Sequence, residues 1–346
     1  VSRVLLTDIS SYKAIVIARF LTQHYPQVEL HSCDTRPLTK LFRTRHAKNH
    51  TVLSKKHYGS ALADLLRSKS IDILIPVNSE DIRLVMENRD QFGDTISYLG
   101  AANAFATLDQ KDRLAALATT LGLQTPQRYS FASQASYPCV VKPIRESASR
   151  GVKYFDNRPD LEEYLRTQDE AKLIIQEFIQ GSGCGYSGFA RDGKILVGHA
   201  HQRMGEFPTS GGSSVWRRSV ENFELREATE KLIVATSWSG FFMMEFKQRT
   251  DGSLCLIECN PRIWGSIHQG LANGANYFAP LFGDVPLPRG KFTDTQLSPL
   301  IYLSILSYAL KGYRGKVLEW IKCYPTIKSD VNPLTDPRGY ISMLLR

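Results

Sequence analysis

Six cysteines are spread over 346 residues with no Cys-x-x-Cys pair among them, far below the density of a disulfide framework. They read as small buried hydrophobes in a reducing compartment. Runs of lysine and arginine interleaved with aromatics are also missing. The basic residues are scattered singly, apart from a modest cluster between positions 40 and 56, so the formal net charge of +9 points to an anionic small ligand such as a nucleotide rather than to nucleic acid. No apolar stretch approaches the roughly 20 residues a membrane span needs, and no signal-peptide pattern is present. The expectation is a cytoplasmic protein with neither nucleic acid nor membrane as a partner. Low-complexity tracts and internal repeats are absent too. What is there is ordinary globular composition, 42% hydrophobic and 22% charged, in a chain long enough for two or three domains.

The most informative stretch is 241–262, FFMMEFKQRTDGSLCLIECNPR. Two apolar runs flank Thr250-Asp251-Gly252-Ser253, and Asp-Gly between β-like runs predicts a hairpin on a type I′ turn. With Thr250 opposite Ser253, Glu245 falls directly across from Glu258. Alternation places Met243, Glu245, Lys247, Leu256, Glu258 and Asn260 on one face. Phe242, Met244, Phe246, Cys255, Ile257 and Cys259 take the other, a core face. Opposed like charges are destabilising, with Cβ atoms roughly 4.5 to 5.5 Å apart, so facing carboxylates need a cation between them. Two glutamates and an asparagine offer hard oxygen ligands, the preference of Mg²⁺, which keeps positions open for phosphates. The alternative is an exposed hairpin whose glutamates sit in water or pair with Lys247.

Upstream, apolar strands at 3–7, 28–31 and 71–77 alternate with helices at 14–21, 60–68 and 79–89, the pattern of a parallel sheet covered by helices. Loops 8–11 and 78–80 then lie beyond strand carboxyl ends, where ligands of such sheets bind. A helix over 109–121 carries Lys111, and a buried strand over 138–143 carries Lys142. Loop 145–152 is rich in small residues, able to form an anion-binding nest. After a strand at 172–179, the glycines at 181, 183 and 185 mimic a dinucleotide fingerprint. A second Asp-Gly hairpin follows them rather than a helix, which rejects that reading. His199, His201 and Arg203 alternate onto one face, and the arginine favours an anion over a metal there. Loop 209–214 can admit a ligand close to backbone. An amphipathic helix covers 223–238, and helices at 265–272, 275–282, 300–310 and 317–321 follow the hairpin; the tail from Asp330 has no clear pattern.

Taken in order and at these intervals, several features resemble the ATP-grasp superfamily, most closely its carboxylate–amine ligase-like branch. They are Lys111, Lys142 between Val141 and Pro143, Ser149-Arg150-Gly151-Val152, Gln176-Glu177-Phe178-Ile179, Glu245, and Glu258-Cys259-Asn260-Pro261-Arg262. The resemblance implies an α/β protein in three parts. An amino-terminal parallel-sheet (pre-ATP-grasp) domain over 1–102 precedes an ATP-grasp fold of two α+β subdomains over 103–285, with a lid at about 137–179. A helical carboxy-terminal extension covers 286–346.

The resemblance also implies ATP and Mg²⁺ as cofactors. Lys111 and Lys142 would contact phosphates, under a lid loop carrying Ser147, Ser149, Arg150 and Gly151. Gln176, Glu177, Phe178 and Ile179 would line the adenine, with main-chain groups of Glu177 and Ile179 bonding its edge. Glu245, Glu258 and Asn260 would hold the metal, and Arg262 would steady the transferred phosphoryl group. Arg203, with His201, Gly211, Gly212 and Ser213, would face the substrate; Arg262, Arg203 and Lys142 are the expected catalytic residues. One departure is that many members hold ribose with an acidic residue where this chain has Gly183, Cys184 and Gly185. The expected activity is an ATP-dependent ligase joining a small-molecule carboxylate to an amine through an acyl phosphate. The alternatives are a thiol acceptor or bicarbonate chemistry, and a nucleotide-binding module without catalysis. A homodimer is left open.

Overall fold

The structure, a computed structural model, describes residues 2–144, 151–209, 211–287 and 292–345. The chain opens with β1 (Arg3–Leu6), α1 (Tyr12–His24), β2 (Glu29–Asp34), β3 (Asn49–Val52), α2 (Tyr58–Ser68), β4 (Ile73–Ile75) and α3 (Ser79–Glu87). The four strands are parallel in the order β3-β2-β1-β4. Val4, Leu6, Ile73 and Ile75 pack with Ile17 and Phe20 of α1, while Leu5 and Leu74 pack with Leu62 and Leu66 of α2 on the other face. A strand buried on both faces has no polar side to alternate with, hence its continuous apolar reading. Ser11 and Asn78 cap α1 and α3 by accepting from the Ala14 and Asp81 amides.

Two helices follow, α4 (Ala102–Asp109) and α5 (Lys111–Thr120), where the sequence suggested one starting at 109. Gln110, with extended φ and ψ of −93° and 120°, separates them and puts Lys111 at the start of α5. A small antiparallel sheet comes next: β5 (Arg128–Tyr129), β6 (Cys139–Pro143), β7 (Lys153–Phe155), α6 (Arg158–Leu165) and β8 (Leu173–Glu177), with strand order β5-β8-β6-β7. Its core is its own, built from Tyr129, Cys139, Val141, Ile175 and, from α6, Leu161 and Leu165. This sheet begins ahead of residue 137, the expected edge of the lid.

The largest sheet is built from β9 (Ser182–Arg191), β10 (Lys194–Phe207), β11 (Ser213–Val220), β12 (Gly240–Gln248) and β13 (Leu254–Asn260), with α7 (Phe223–Thr236) inserted before β12. The remainder is α8 (Ile267–Ala272), α9 (Ala279–Phe282), β14 (Thr295–Gln296), α10 (Leu300–Leu310), α11 (Arg314–Cys323), β15 (Lys328–Ser329) and α12 (Pro337–Leu344). Its order, β13-β12-β9-β10-β11-β14-β15, shows that the last segment contributes strands as well as helices. Two-residue strands and the tail helix α12 leave too short a pattern to read. The tail is anchored by a fully buried Arg217–Asp330 pair at 2.6 Å, with His268 Nδ1 3.1 Å from the same carboxylate. Removing one partner of such a pair leaves an uncompensated charge in the interior. Among the described residues no helix is long and apolar enough to cross a membrane.

Candidate active site

The β12–β13 hairpin sets Glu245 opposite Glu258 and Met243 opposite Asn260, as its sequence predicts. The route to that register differs. Asp251 is not among the positive-φ residues, while Gly252 is, at 89°; the Gly252 amide bonds the Arg249 carbonyl, and the Arg249 amide bonds Ser253. This is a three-residue loop ending in a left-handed glycine rather than a type I′ turn. It shifts the pairing by one residue, so that Lys247 meets Cys255. A bulge between Glu245/Phe246 and their partners shifts it back. Together the loop and the bulge move three side chains relative to simple alternation: Leu256 joins the core with Phe246 and Met244, Ile257 lines the cleft, and Cys255, opposite Lys247, takes the Lys247 face. The type I′ geometry occurs instead at the other Asp-Gly, where Asp192 and Gly193 have φ of 49° and 76° between paired Arg191 and Lys194.

Register carries this row across the sheet. Glu245 pairs with Gly185, which pairs with His201; one step along, Lys247 pairs with Gly183, the neighbour of Arg203 across β9. Arg203 on β10 must pass over β9 to reach β12, and glycine makes that passage open. A Cβ at position 183 would lie 2.6 Å from Arg203 Cδ. So the glycines serve side-chain crossing, not a dinucleotide turn. Arg203 Nη1 reaches Glu245 Oε2 at 3.2 Å, its Nε lies 3.3 Å from Glu206, and its Nη2 donates to the Gly212 carbonyl. Gly183→Ala is therefore expected to lower stability by about 1–3 kcal/mol, the cost of overpacking, read as a fall in thermal midpoint. An unchanged midpoint would mean that Arg203 has another path.

Glu258 is the centre of the positive side. Lys111 Nζ lies 3.6 Å from its Oε2, and Asn260 Nδ2 donates to its Oε1 at 3.3 Å. Arg262 donates to Asn260 Oδ1 through Nη2, to Ser79 Oγ at 3.0 Å through Nε, and to the Ile263 carbonyl through Nη1. Through Ser79, at the start of α3, the amino-terminal domain is joined to the site. Burial pushes Glu258 up, but Lys111, Lys142 and Arg262 outweigh it and hold its carboxyl below the usual range. For Glu245 burial prevails over Arg203, and the repulsion of Glu258 adds to it, pushing Glu245 up to about 7. Burial likewise lowers Lys142 to about 8, although Glu258 opposes the shift. Two desolvated carboxylates facing each other, one of them poorly ionised, are deficient in positive charge.

Around this hairpin lies a cleft of about 300 Å³. Lys111, Lys142, Gln176, Glu177, Phe178, Ile179, Arg203, Gly211, Glu245 and Glu258 all line it, bringing together most of the residues singled out by sequence. The Glu177 amide already bonds the Gln127 carbonyl, and its carboxylate is held by Arg249 at 2.9 Å. Lys247, set on the Glu245 face by strand alternation, lines the cleft too, whereas Tyr154 and Glu206 were not anticipated and arrive through tertiary packing alone. Asn260 and Arg262 lie outside that lining; Asn260 is joined to Glu258 by its Nδ2 and Arg262 to Asn260.

Some expectations fall elsewhere. His201 shares the sheet face of Glu245 but is buried outside the cleft lining, and burial drives it down to about 3. Kept neutral by burial, it offers no positive charge to an anion. Its neighbour His199, lowered to about 4 by burial, meets Ser219 Oγ at 3.0 Å. Ser213 pairs with Phe207 in the β10–β11 ladder, and Gly212 contributes its carbonyl to Arg203. Gly151 is described, with φ of 70°, whereas Ser147, Ser149, Arg150 and Ser210 lie outside the described residues. Among the described residues, no three His, Cys, Asp or Glu side chains converge as a metal site. The oxygen groups that the hairpin itself brings together are the Glu245 and Glu258 carboxylates and the Asn260 amide.

Comparison with known proteins places this geometry. Residues 108–266 match the family model of the ATP-grasp domain, so this segment is an ATP-grasp domain of that superfamily. ATP with Mg²⁺ is the cofactor pair of that superfamily. Among curated proteins, the chain is 25% identical over 189 residues to the D-alanine–D-alanine ligase of Aquifex aeolicus, a match spanning 48% of this chain and 62% of that ligase. Among solved structures, biotin carboxylase from Campylobacter jejuni, in its βγ-ATP complex, superposes with a TM-score of 0.67 at 13% identity, over 84% of this chain and 74% of that one. An L-amino acid ligase from Bacillus licheniformis does so with a TM-score of 0.57 at 16% identity, over 79% and 69%. At such identities the structural likeness speaks for the fold.

Proposed function

We propose that this protein is an ATP-dependent ligase that joins a small carboxylate to an amine through an acyl phosphate. The observation that carries this reading is the facing pair Glu245 and Glu258 in one cleft with Lys111, Lys142 and Arg203, backed by Asn260 and, behind it, Arg262. The similarity to a D-alanine–D-alanine ligase supports the carboxylate–amine class.

A carboxylate is a poor electrophile because its oxygen is a bad leaving group. Its attack on the γ-phosphorus breaks the bond to the β-phosphate oxygen, releases ADP and yields an acyl phosphate. The amine nitrogen then attacks the carbonyl carbon, loses a proton, and expels phosphate. The chain needs no covalent nucleophile; its work is positioning and charge neutralisation. Lys111 and Lys142 hold the phosphates. Hinge residues 176–179 line the base, with main chain beyond the committed Glu177 amide available to its edge. Arg262 faces the transferred group, and Arg203, fixed by Glu245, Glu206 and the Gly212 carbonyl, presents its fork to the carboxylate. Glu245, Glu258 and Asn260 would hold Mg²⁺, which would supply positive charge to the phosphates during transfer. Asn260 Oδ1 accepts from Arg262 with one lone pair and keeps the other for the metal.

The lowered Lys142 gives a pH test. Its ammonium is lost as pH rises through about 8, so ATP affinity is expected to fall several-fold from about pH 7 to about pH 9. Lys142→Arg, which keeps its charge, should flatten that titration; an equally steep profile would remove Lys142 from the phosphate site. The function itself is tested by coupled ADP release that depends on acid and amine together.

A further inference from the structure

Helix α10, LIYLSILSYAL, carries no charged side chain across its eleven residues. A helix apolar on every side belongs in an interior. Yet Tyr302, Leu303, Leu306 and Leu310 are 44%, 48%, 56% and 81% exposed. The helix is not loosely attached. On its inner side Ile301, Ser304 and Tyr308 are buried, Ser304 Oγ donates to the Glu206 carbonyl at 2.7 Å, and the Glu206 amide donates to Tyr308 Oη at 3.3 Å. Ser307 Oγ meets Thr209 Oγ1 at 3.2 Å. α10 is thus the outer buttress of the cleft wall at Glu206 and Thr209. Tyr313, more than half exposed, prolongs the outward stripe, with its ring edge-on to Tyr308 at 5.8 Å. Together these five side chains expose on the order of 500 Å², the upper end for the largest patch of a monomer and over half of one partner's share of a standard interface.

Charge selects the occupant. An anionic membrane or an acidic partner would be met by cations rimming the stripe. Here the lysines that follow the helix turn inward: Lys311 Nζ donates to Thr209 Oγ1 at 2.7 Å, and Lys316 Nζ to the Met204 carbonyl at 2.8 Å. Arg314 is exposed beside Tyr313 at the far end, but the five side chains of the stripe itself are uncharged, and such a stripe fits another of its kind. Leu303, Leu306 and Leu310 stand at i, i+3 and i+7, the spacing of a helix–helix seam. We infer that two copies of this chain associate through α10, antiparallel about a two-fold axis, with Leu306 meeting its own counterpart and Leu303 meeting Leu310. Two such helices bring no like charges together along the seam. The dimer would brace the cleft wall of each copy from behind.

Sedimentation across a range of protein concentrations tests this. The unmodified chain should show a concentration-dependent dimer, and Leu306→Lys should weaken association by about 100-fold or more with an unchanged thermal midpoint. Leu306→Cys, a milder change, should give a disulfide-linked dimer on oxidation, because the axis sets the two sulfurs face to face. Leu318→Cys, exposed on α11, should not. A chain that stays monomeric overturns the inference. So does a dimer indifferent to Leu306→Lys without a cross-link in Leu306→Cys, and so does a monomer that binds phosphatidylglycerol vesicles through this stripe.

Discussion

Glu258→Gln is expected to abolish ADP production, with kcat lower by on the order of 10³-fold, a transition-state loss of about 4 kcal/mol. The substitution keeps the shape of the side chain and removes its charge. That charge is the counterweight to Lys111 at 3.6 Å and to Lys142 and Arg262, and it is the better-ionised member of the facing pair. Without it the facing pair keeps one carboxylate, Glu245, relieved of the Glu258 repulsion but still raised by burial, and one anionic donor holds a divalent cation beside phosphates less well than two. The Glu258 side chain is one-fifth exposed, so the fold should survive. Circular dichroism and the thermal midpoint check that, and Glu258→Ala should behave alike. Undiminished ADP production by a folded variant would remove the metal assignment.

Arg203→Lys should lower kcat/KM for the carboxylate substrate by on the order of 10²-fold, roughly 3 kcal/mol, with ATP affinity changed far less. Arg203 hydrogen-bonds to Glu245 at 3.2 Å and to the Gly212 carbonyl, and its Nε lies 3.3 Å from the Glu206 carboxylate. A planar fork with five donors can keep those contacts and still present an edge to an anion, whereas an ammonium is a single point. Burial would lower its pKa, but Glu245 and Glu206 outweigh that and hold the guanidinium above its ordinary value. Steady-state kinetics in the carboxylate, beside nucleotide titration, separate the two effects. Normal turnover would reduce Arg203 to a structural tie between β10 and β12.

Much of this site was legible because its chemistry rides on local pattern. Facing carboxylates follow from strand period and turn position, and the parallel sheet follows from alternating apolar runs. The hairpin register came out correctly although its turn did not: the three-residue loop and the bulge before Glu245 cancel. Simple alternation had no means of seeing the bulge, so it exchanged Leu256 and Ile257. His201 shows the opposite limit. Alternation set it on the right face, yet burial between elements distant in sequence decides whether a residue on that face sees the cleft. β3 and β15 were missed for want of an apolar signal, since Asn49-His50-Thr51-Val52 and Lys328-Ser329 are edge strands held by their neighbours. Glu206 reaches the cleft because α10, almost 100 residues later in the chain, holds its backbone.

The central claim is that the carboxylate of one substrate takes the γ-phosphoryl group before the amine attacks. It is tested most directly by a coupled ADP-release screen over small carboxylates and amino acids, repeated on the active pair with ¹⁸O in the carboxylate. ADP should form with Mg²⁺ and ATP when both substrates are present, and one labelled oxygen should appear in the inorganic phosphate. ADP formed without transfer of label, or ATP bound and never turned over with any acid and amine, would contradict it.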